Sequence, residues 1–254
     1  MLLLGVRIDE INLQDAIEKV DSFLQSHNQY KIFTPNPEML VDAQTDLYFK
    51  EVLNQGDLNL CDGKGIEFVS KGRLKRISGV DFMYELCKLA EQKKYSVYFL
   101  GSGSIDTIEQ LILNLHKQFP NLNIAGGHEG PRITSEFEND RMILSMIEEE
   151  NNEIISNIVM QDPDLLFVAF GHGKQEKWIY EHLRDVPSVK IAMGVGGAFD
   201  FLSGNKNRAP KWMRDNGVEW AYRLVQEPQR FKRIWKATVI FLYFYFLRKC
   251  NSDL

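Results

Sequence analysis

Short apolar segments alternate with helical patterns along most of this chain, and this alternation limits the possible folds more than any other feature. The segments between helical patterns are apolar, and most are followed by Gly or Asp: residues 30–34, 58–62, 95–101, 122–127, 164–171 and 189–196. Buried strands joined by amphipathic helices predict an α/β fold, a Rossmann-like parallel sheet with helices on both faces. Ligands of such sheets bind beyond the carboxyl ends of the strands.

Charge divides the chain into two unequal parts. Residues 206–254 carry 11 Lys and Arg against 4 Asp and Glu, whereas residues 1–205 carry 19 against 31. We therefore predict an α/β domain over residues 1–205 and a basic, aromatic appendage over residues 206–254, here called the tail. A basic tail on an acidic protein points to an anionic partner.

The tail pattern favours a membrane surface as that partner. Its uncharged run, residues 237–247, has 11 residues, far fewer than the roughly 20 that a spanning helix needs. A helix with cations on one side and aromatic residues on the other can lie in the headgroup layer. A helix packed on the domain's own core stays an alternative. A nucleic-acid partner is disfavoured, because the aromatic residues cluster with aliphatic ones and do not alternate with the cations.

The remaining bulk features favour the cytoplasm. The start of the chain lacks a basic region and is interpreted as a first strand rather than a secretory signal. The cysteines, Cys61, Cys87 and Cys250, have neither disulfide nor zinc-site spacing. Residues 134–157 are polar and acidic, and we predict a solvated helix with a loop there.

Polar residues follow the first two strands of the predicted sheet. Thr34 and Asn36 stand beside two prolines that rigidify the turn, and Pro37 can begin a helix. Asp62 follows the next strand, next to Gly63, and could accept a proton from a hydroxyl group in a dry site. Turn formation by the prolines and an Asx turn at Asp62 are the structural alternatives.

Glycine-rich turns follow the later strands. Gly101 and Gly103 resemble a phosphate loop at a helix N-terminus, although a plain N-cap turn explains them as well. Gln175 falls on the first turn of a helix and can face the crevice, whereas the neighbouring His172 is interpreted as a loop residue. Asp200 follows a pair of glycines that allow a ligand close to the backbone.

These segments together resemble the WecG/TagA/CpsF family of bacterial glycosyltransferases in order and spacing, from about residue 5 to residue 233. The segments are TPNPEML, DGKGIE, RISGVDF, VYFLGSG, GKQEKW, GVGGAFDFLSG and RAPKWMRDNGVEWAYRLVQEPQRFKR. The resemblance implies inverting transfer of a sugar, N-acetylmannosamine in first place, from a UDP-sugar to a polyprenyl-diphosphate-linked saccharide. UDP-glucose and a UDP-linked uronic acid of N-acetylmannosamine remain alternative donors. Teichoic acid, common antigen and exopolysaccharide are the polymers concerned.

The resemblance also assigns roles to residues. It makes Asp62 the catalytic base and places Thr34, Asn36, Arg76 and Gln175 in the pocket, to which we add Asp200 as a candidate ligand-binding residue. The tail arginines Arg223, Arg230 and Arg233 would meet diphosphate and lipid, and the tail would seat the enzyme on the cytoplasmic face of the membrane. Pro228 is expected to start a new helix between the first two of these arginines.

Three further expectations concern cofactors and partners. We expect neither a cofactor nor a metal, because the chain is taken to lack a D-x-D motif that could hold a divalent ion at the diphosphate. Arginines and backbone N–H groups would then have to stabilise the departing UDP. We expect no nucleic-acid partner, and homo-oligomers when the protein is off the membrane. The alternatives from other classes are an NAD oxidoreductase that uses Gly101 and Gly103, and a non-catalytic membrane adaptor. Glu129 lies too far along the chain to serve the ribose contact of the former.

Overall fold

The computed structural model describes residues 1–101 and 103–252, with side chains as far as Leu247. A six-stranded parallel sheet forms its centre, in the order β4-β3-β10-β9-β5-β6. Its strands are β3 (Tyr30–Phe33), β4 (Leu58–Asn59), β5 (Ser96–Gly101), β6 (Asn123–His128), β9 (Leu165–Ala169) and β10 (Ile191–Gly194). Two antiparallel pairs lie apart from it: β1 (Leu2–Leu3) with β2 (Val6–Arg7), and β7 (Thr134–Glu138) with β8 (Arg141–Ser145).

Helices cover both faces of the sheet. They are α1 (Leu13–Leu24), α2 (Pro37–Asp42), α3 (Leu47–Asn54), α4 (Lys64–Val69), α5 (Gly79–Lys93), α6 (Ile105–Gln118), α7 (Glu148–Gln161), α8 (Lys174–His182), α9 (Ala198–Leu202), α10 (Lys211–Asp215), α11 (Glu219–Gln226), α12 (Phe231–Trp235) and α13 (Phe241–Ser252). Successive strand residues alternate between two buried clusters: Tyr98 and Leu100 lie in one, Val97 and Phe99 in the other. The predicted α/β fold with two covered faces is confirmed.

The strand order places a crevice between β3 and β10. Numbered among themselves, the six strands run 2-1-6-5-3-4, which differs from the 3-2-1-4-5-6 order of dinucleotide-binding sheets. The helix after β3, α2, packs in one buried cluster through Met39, and the helix after β10, α9, packs in the other through Phe199. Neighbouring strands whose connections leave to opposite faces open a crevice at their carboxyl ends.

One sequence prediction about local structure is right only in part. Residues 134–157 contain the expected helix, in α7, but the segment before it is the hairpin β7–β8 rather than a loop. Asn139 and Asp140 both adopt positive φ, 47° and 58°, and a two-residue turn of this conformation matches the twist of the strands that it joins. The start of the chain is a strand, as predicted; this strand, β1, pairs with β2 and does not join the central sheet.

The tail folds back onto the body of the protein. A π-helical turn over Lys236–Ile240 joins α12 to α13, and the break before Pro228 that the sequence predicts is present. Phe241 is 1% exposed within the buried cluster that contains α2, and the Tyr245 hydroxyl donates to the Val69 carbonyl at 3.1 Å. Within the described residues, no helix is both long and apolar enough to cross a bilayer.

The outer face of the tail helix, which runs from Phe231 through α12 and into α13, is apolar. Six large apolar side chains are exposed along it: Phe231, Trp235, Val239, Tyr243, Phe246 and Leu247. The cations Arg233 and Lys236 instead bond to carboxylates of α2. The expected helix with two faces is therefore present, but its cationic side is partly used inside the protein. The alternative of a helix packed on the domain's own core is correct for the face that carries Phe241, and not for the exposed face.

Substitution of Phe241 tests how tightly the tail is docked. We expect Phe241→Ala to weaken docking by about 3 kcal/mol, because deletion of a buried Phe side chain removes its contacts and leaves a cavity. Hydrogen exchange of the amides of residues 231–247 measures the change. Tyr243→Ala is the matched control, since Tyr243 is 61% exposed on the same helix. Equal exchange in both variants would contradict this view of the packing.

Candidate active site

A cleft of about 510 Å³ lies between the carboxyl ends of β3 and β4 and the tail. We call it the first cleft. Asn36, which follows β3, caps α2 by accepting a hydrogen bond from the Met39 N–H at 3.0 Å. Asp62 follows β4, and its N–H donates to the Pro35 carbonyl at 3.0 Å. These turns bring two of the predicted residues to one wall of the cleft.

Asp62 lies at the floor of this cleft. Its side chain is 29% exposed and lines the cleft. One carboxylate oxygen, Oδ2, accepts from the Gly79 N–H at 3.3 Å, and Oδ1 lies 3.9 Å from Arg76 Nε. Burial raises the pKa of Asp62, while Arg76 and the Gly79 N–H oppose that rise. Such a carboxylate is a stronger base than an exposed aspartate.

Arg76 connects Asp62 to the tail. Its Nη1 donates to the Arg214 carbonyl at 2.9 Å, and its Nη2 donates to Glu219 Oε2 at 3.0 Å. Glu219 also accepts from Arg223 Nη2 at 2.7 Å. Burial alone would raise the pKa of Glu219, but Arg223 and Arg76 hold it below its ordinary value. Glu219 is thus an ionised bridge between two arginines of the first cleft.

A cluster of five charged or titratable side chains attaches the tail helix to α2. We call it the tail latch, and it comprises Glu38, Asp42, His172, Arg233 and Lys236. Arg233 donates from Nε and Nη2 to Glu38 at 3.0–3.1 Å, and Lys236 donates to Asp42 at 2.6 Å. His172 lies 2.9 Å from Asp42 and 3.2 Å from Arg233. His172 is therefore more than the isolated loop residue that the sequence predicts.

The latch contains a set of possible metal ligands. Ligand atoms of Glu38, Asp42 and His172 lie within 4.8 Å of one another. Both carboxylates, however, already accept from cations of the tail helix. Glu38, Asp42 and His172 therefore attach the tail helix to the domain through Arg233 and Lys236.

A second cleft, of about 410 Å³, lies beyond the later strands. Three of its lining glycines have positive φ and open space where a side chain would stand: Gly103, Gly171 and Gly196. Asp200 lines this cleft and pairs with Lys206 at 3.0 Å. Exposed backbone at glycine turns can approach phosphate or ribose closely.

Arg230 and Arg233 lie at the junction, since each lines both clefts. Arg230 also bonds to Glu227. Each of the three predicted tail arginines thus has a carboxylate partner: Arg223 has Glu219, Arg230 has Glu227 and Arg233 has Glu38. These pairs hold the guanidinium groups in place around the clefts.

Thr34 and Gln175 lie just behind the cleft walls. Thr34 is buried against Gly79, where a β-carbon would come within 3.3 Å of its hydroxyl oxygen. Gln175 accepts from the Gly196 N–H at 2.9 Å and donates to Glu176 at 2.7 Å. Neither residue belongs to the described lining of the clefts, although the Gln175 partner Gly196 lines the second one. The structure therefore gives both residues supporting positions rather than the pocket positions expected for them.

Sequence reasoning missed two carboxylates and one motif. Glu38 and Glu219 lie within the segments TPNPEML and EWAYR, but only the fold shows which arginines they meet. The chain does contain a D-x-D spacing, Asp162-Pro163-Asp164, so the expectation that it lacks this motif is wrong. It precedes β9 at the end of the sheet opposite the clefts, where Asp164 accepts from the Ser96 N–H at 2.9 Å.

The carboxyl ends of the parallel strands thus carry one cleft lined by a half-buried carboxylate and arginines, and a second cleft lined by glycines. The sequence model described as "Glycosyl transferase WecG/TagA/CpsF family" matches residues 1–253. The chain belongs to this glycosyltransferase family, as its sequence motifs predict. The oxidoreductase and the adaptor interpretations are therefore abandoned.

Curated relatives agree with this assignment. A protein of Staphylococcus aureus (strain MW2) is 32% identical over 248 residues, which cover 95% of this chain and 90% of the relative. A protein of Bacillus subtilis (strain 168) is 34% identical over 207 residues, which cover 80% and 74%. Both are named N-acetylglucosaminyldiphosphoundecaprenol N-acetyl-beta-D-mannosaminyltransferase.

Proposed function

We propose that this glycosyltransferase moves N-acetylmannosamine from a UDP-linked donor to a polyprenyl-diphosphate-linked N-acetylglucosamine, with inversion at the anomeric carbon. The observation that carries the proposal is the position of Asp62, a half-buried carboxylate with a raised pKa that lines a cleft together with several arginines. The names of the relatives supply the sugar and the acceptor. The product would enter the synthesis of teichoic acid or a related surface polymer.

The proposed chemistry is a single displacement. Asp62 accepts the proton of the acceptor hydroxyl as its oxygen forms a bond to the anomeric carbon. The bond from that carbon to the diphosphate oxygen breaks, and UDP leaves with the electron pair. One base is sufficient for this step, and cations near the leaving group stabilise its growing charge.

The two clefts suggest how the substrates divide. The glycine-lined second cleft suits the UDP portion of the donor, because backbone groups there are open to a ligand. The first cleft has an apolar wall from the tail helix, which suits the lipid-linked acceptor; Ile234, Ala237 and Leu242 belong to it. Arg230 and Arg233, at the junction, would then face the diphosphate of the donor, which favours a metal-independent reaction.

The tail would place this site at the membrane. Its outer face exposes Phe231, Trp235 and Tyr243, the kind of surface that inserts into the headgroup layer. We therefore retain residues 206–254 as a membrane-associating appendage of the catalytic domain. The predicted location is peripheral, on the cytoplasmic face of the membrane, with an anionic surface as partner.

A donor and chelator assay tests the proposal. The enzyme is offered UDP-N-acetylmannosamine, UDP-N-acetylglucosamine and UDP-glucose in turn, with a short polyprenyl-diphosphate N-acetylglucosamine acceptor. We expect transfer from the first donor alone, an inverted anomeric centre by NMR, and the same rate in excess EDTA. A rate that falls in EDTA and returns with added Mg²⁺ would refute metal independence, and a retained configuration would refute the single displacement.

A further inference from the structure

Glu219 of α11 engages the arginine that faces the proposed base. We infer that Glu219 is a positioning residue: it draws the Arg76 guanidinium towards the tail, prevents it from closing on Asp62, and thereby sets the basicity of Asp62. The inference rests on the proposed function, in which Asp62 is the base. Neither the family resemblance nor the names of the relatives assign a role to Glu219.

The hydrogen bonds of Arg76 show this competition. Both terminal nitrogens donate into the tail, Nη2 to Glu219 at 3.0 Å and Nη1 to the Arg214 carbonyl at 2.9 Å. Only Nε faces Asp62, at 3.9 Å, which is too far for a hydrogen bond. An arginine beside a carboxylate ordinarily forms a two-pronged pair at about 2.7–2.9 Å. The two terminal nitrogens of Arg76 that could pair with Asp62 are therefore already bonded to Glu219 and Arg214.

The consequence for Asp62 follows from the charges around it. Arg76, on the α4–α5 loop, is one of several charged or titratable groups near Asp62. The others include Lys64 of α4, Arg223 and Glu219 of α11, Arg208 ahead of α10, and the adjacent Cys61. Arg76 and Arg223 lower the pKa of Asp62, and Glu219 raises it. Removal of the Glu219 charge, and closure of the released Arg76, both act to lower that pKa.

The same contacts link basicity to tail docking. Glu219 and Arg214 both belong to the tail, so Arg76 is drawn from Asp62 only while α10 and α11 are docked. With the tail away, the Arg76–Asp62 pair can close and leave a carboxylate that is weak as a base. Docking of α10 and α11 and activation of the base then depend on one another through Glu219.

A direct titration of Asp62 tests the inference without an activity assay. The full-length protein is labelled with ¹³C at aspartate carboxyls, and the Asp62 signal is identified by its loss in Asp62→Asn. We expect Glu219→Gln to lower the Asp62 midpoint by about one pH unit or more, the usual effect of a newly formed arginine pair. Glu219→Asp should restore most of the midpoint. Glu10→Gln is the matched control, because Glu10 pairs with Arg73 outside the described lining of both clefts, and should leave the midpoint unchanged.

A double substitution separates positioning from loss of docking. If Glu219 acts through Arg76, the shift caused by Glu219→Gln should largely disappear in the Arg76→Gln background. Hydrogen exchange of residues 219–226 reports docking in each variant. An unmoved midpoint in Glu219→Gln, or an undiminished shift in the Arg76→Gln background, overturns the inference. An active Asp62→Asn enzyme overturns the proposed function instead, whatever the titration shows.

Discussion

Replacement of Asp62 with Asn is expected to lower kcat by about 10²–10⁴-fold, the range in which a positioned general base contributes. The amide has nearly the same shape and can still accept from the Gly79 N–H, which now donates to Asp62 Oδ2 at 3.3 Å. It cannot take the proton of the acceptor hydroxyl at neutral pH. Initial rates with the lipid-linked acceptor measure the loss.

Two controls separate catalysis from binding and folding. Isothermal titration with UDP should give a near-normal Kd in Asp62→Asn, and thermal unfolding should show an intact fold. In the unsubstituted enzyme, the rate should rise with pH through the raised pKa of Asp62, since only the ionised carboxylate acts as a base. A variant that retains more than about a tenth of the rate would remove Asp62 from the role of base, because such a base supplies a far larger factor.

The sequence predicts the sheet and the ends of its strands well because both depend on local patterns. Buried parallel strands are short apolar runs, and Asp62 stands directly after one of them. The helix break at Pro228 likewise follows from the missing N–H of proline. These features depend on residues a few positions apart, which a sequence displays directly.

The contacts that complete the site depend on residues far apart in the chain. The Arg76–Glu219 bond spans 143 positions and the Glu38–Arg233 pair spans 195, so no spacing rule identifies them. The hairpin over residues 134–145 was missed for another reason: Asn139 and Asp140 adopt positive φ without a glycine. Polar composition there resembles that of a solvated helix, and only the pairing of β7 with β8 separates the two.

The tail arginines should affect turnover even when the membrane contact is intact. We expect the combined change of Arg223, Arg230 and Arg233 to Gln to lower kcat by at least about 10³-fold, because loss of one donor at a developing negative charge costs about 10²–10³. All three line the first cleft, and two of them also line the second. Rates with a short-chain acceptor in detergent measure the effect.

Comparison with a tail deletion distinguishes catalysis from membrane docking. The triple variant keeps the exposed face of Phe231, Trp235 and Val239, so it should still sediment with anionic vesicles, whereas deletion of residues 206–254 should abolish both sedimentation and turnover. Lys232→Gln is the matched control, since Lys232 is an exposed cation beside Arg233 that lies outside the described lining of both clefts. A triple variant that loses vesicle binding but retains kcat would identify these arginines as lipid contacts and contradict their placement at the diphosphate. If instead kcat falls while vesicle binding persists, the tail supplies part of the active site itself. The pairing of each arginine with a carboxylate then explains how the guanidinium charges stay in place before the substrate binds.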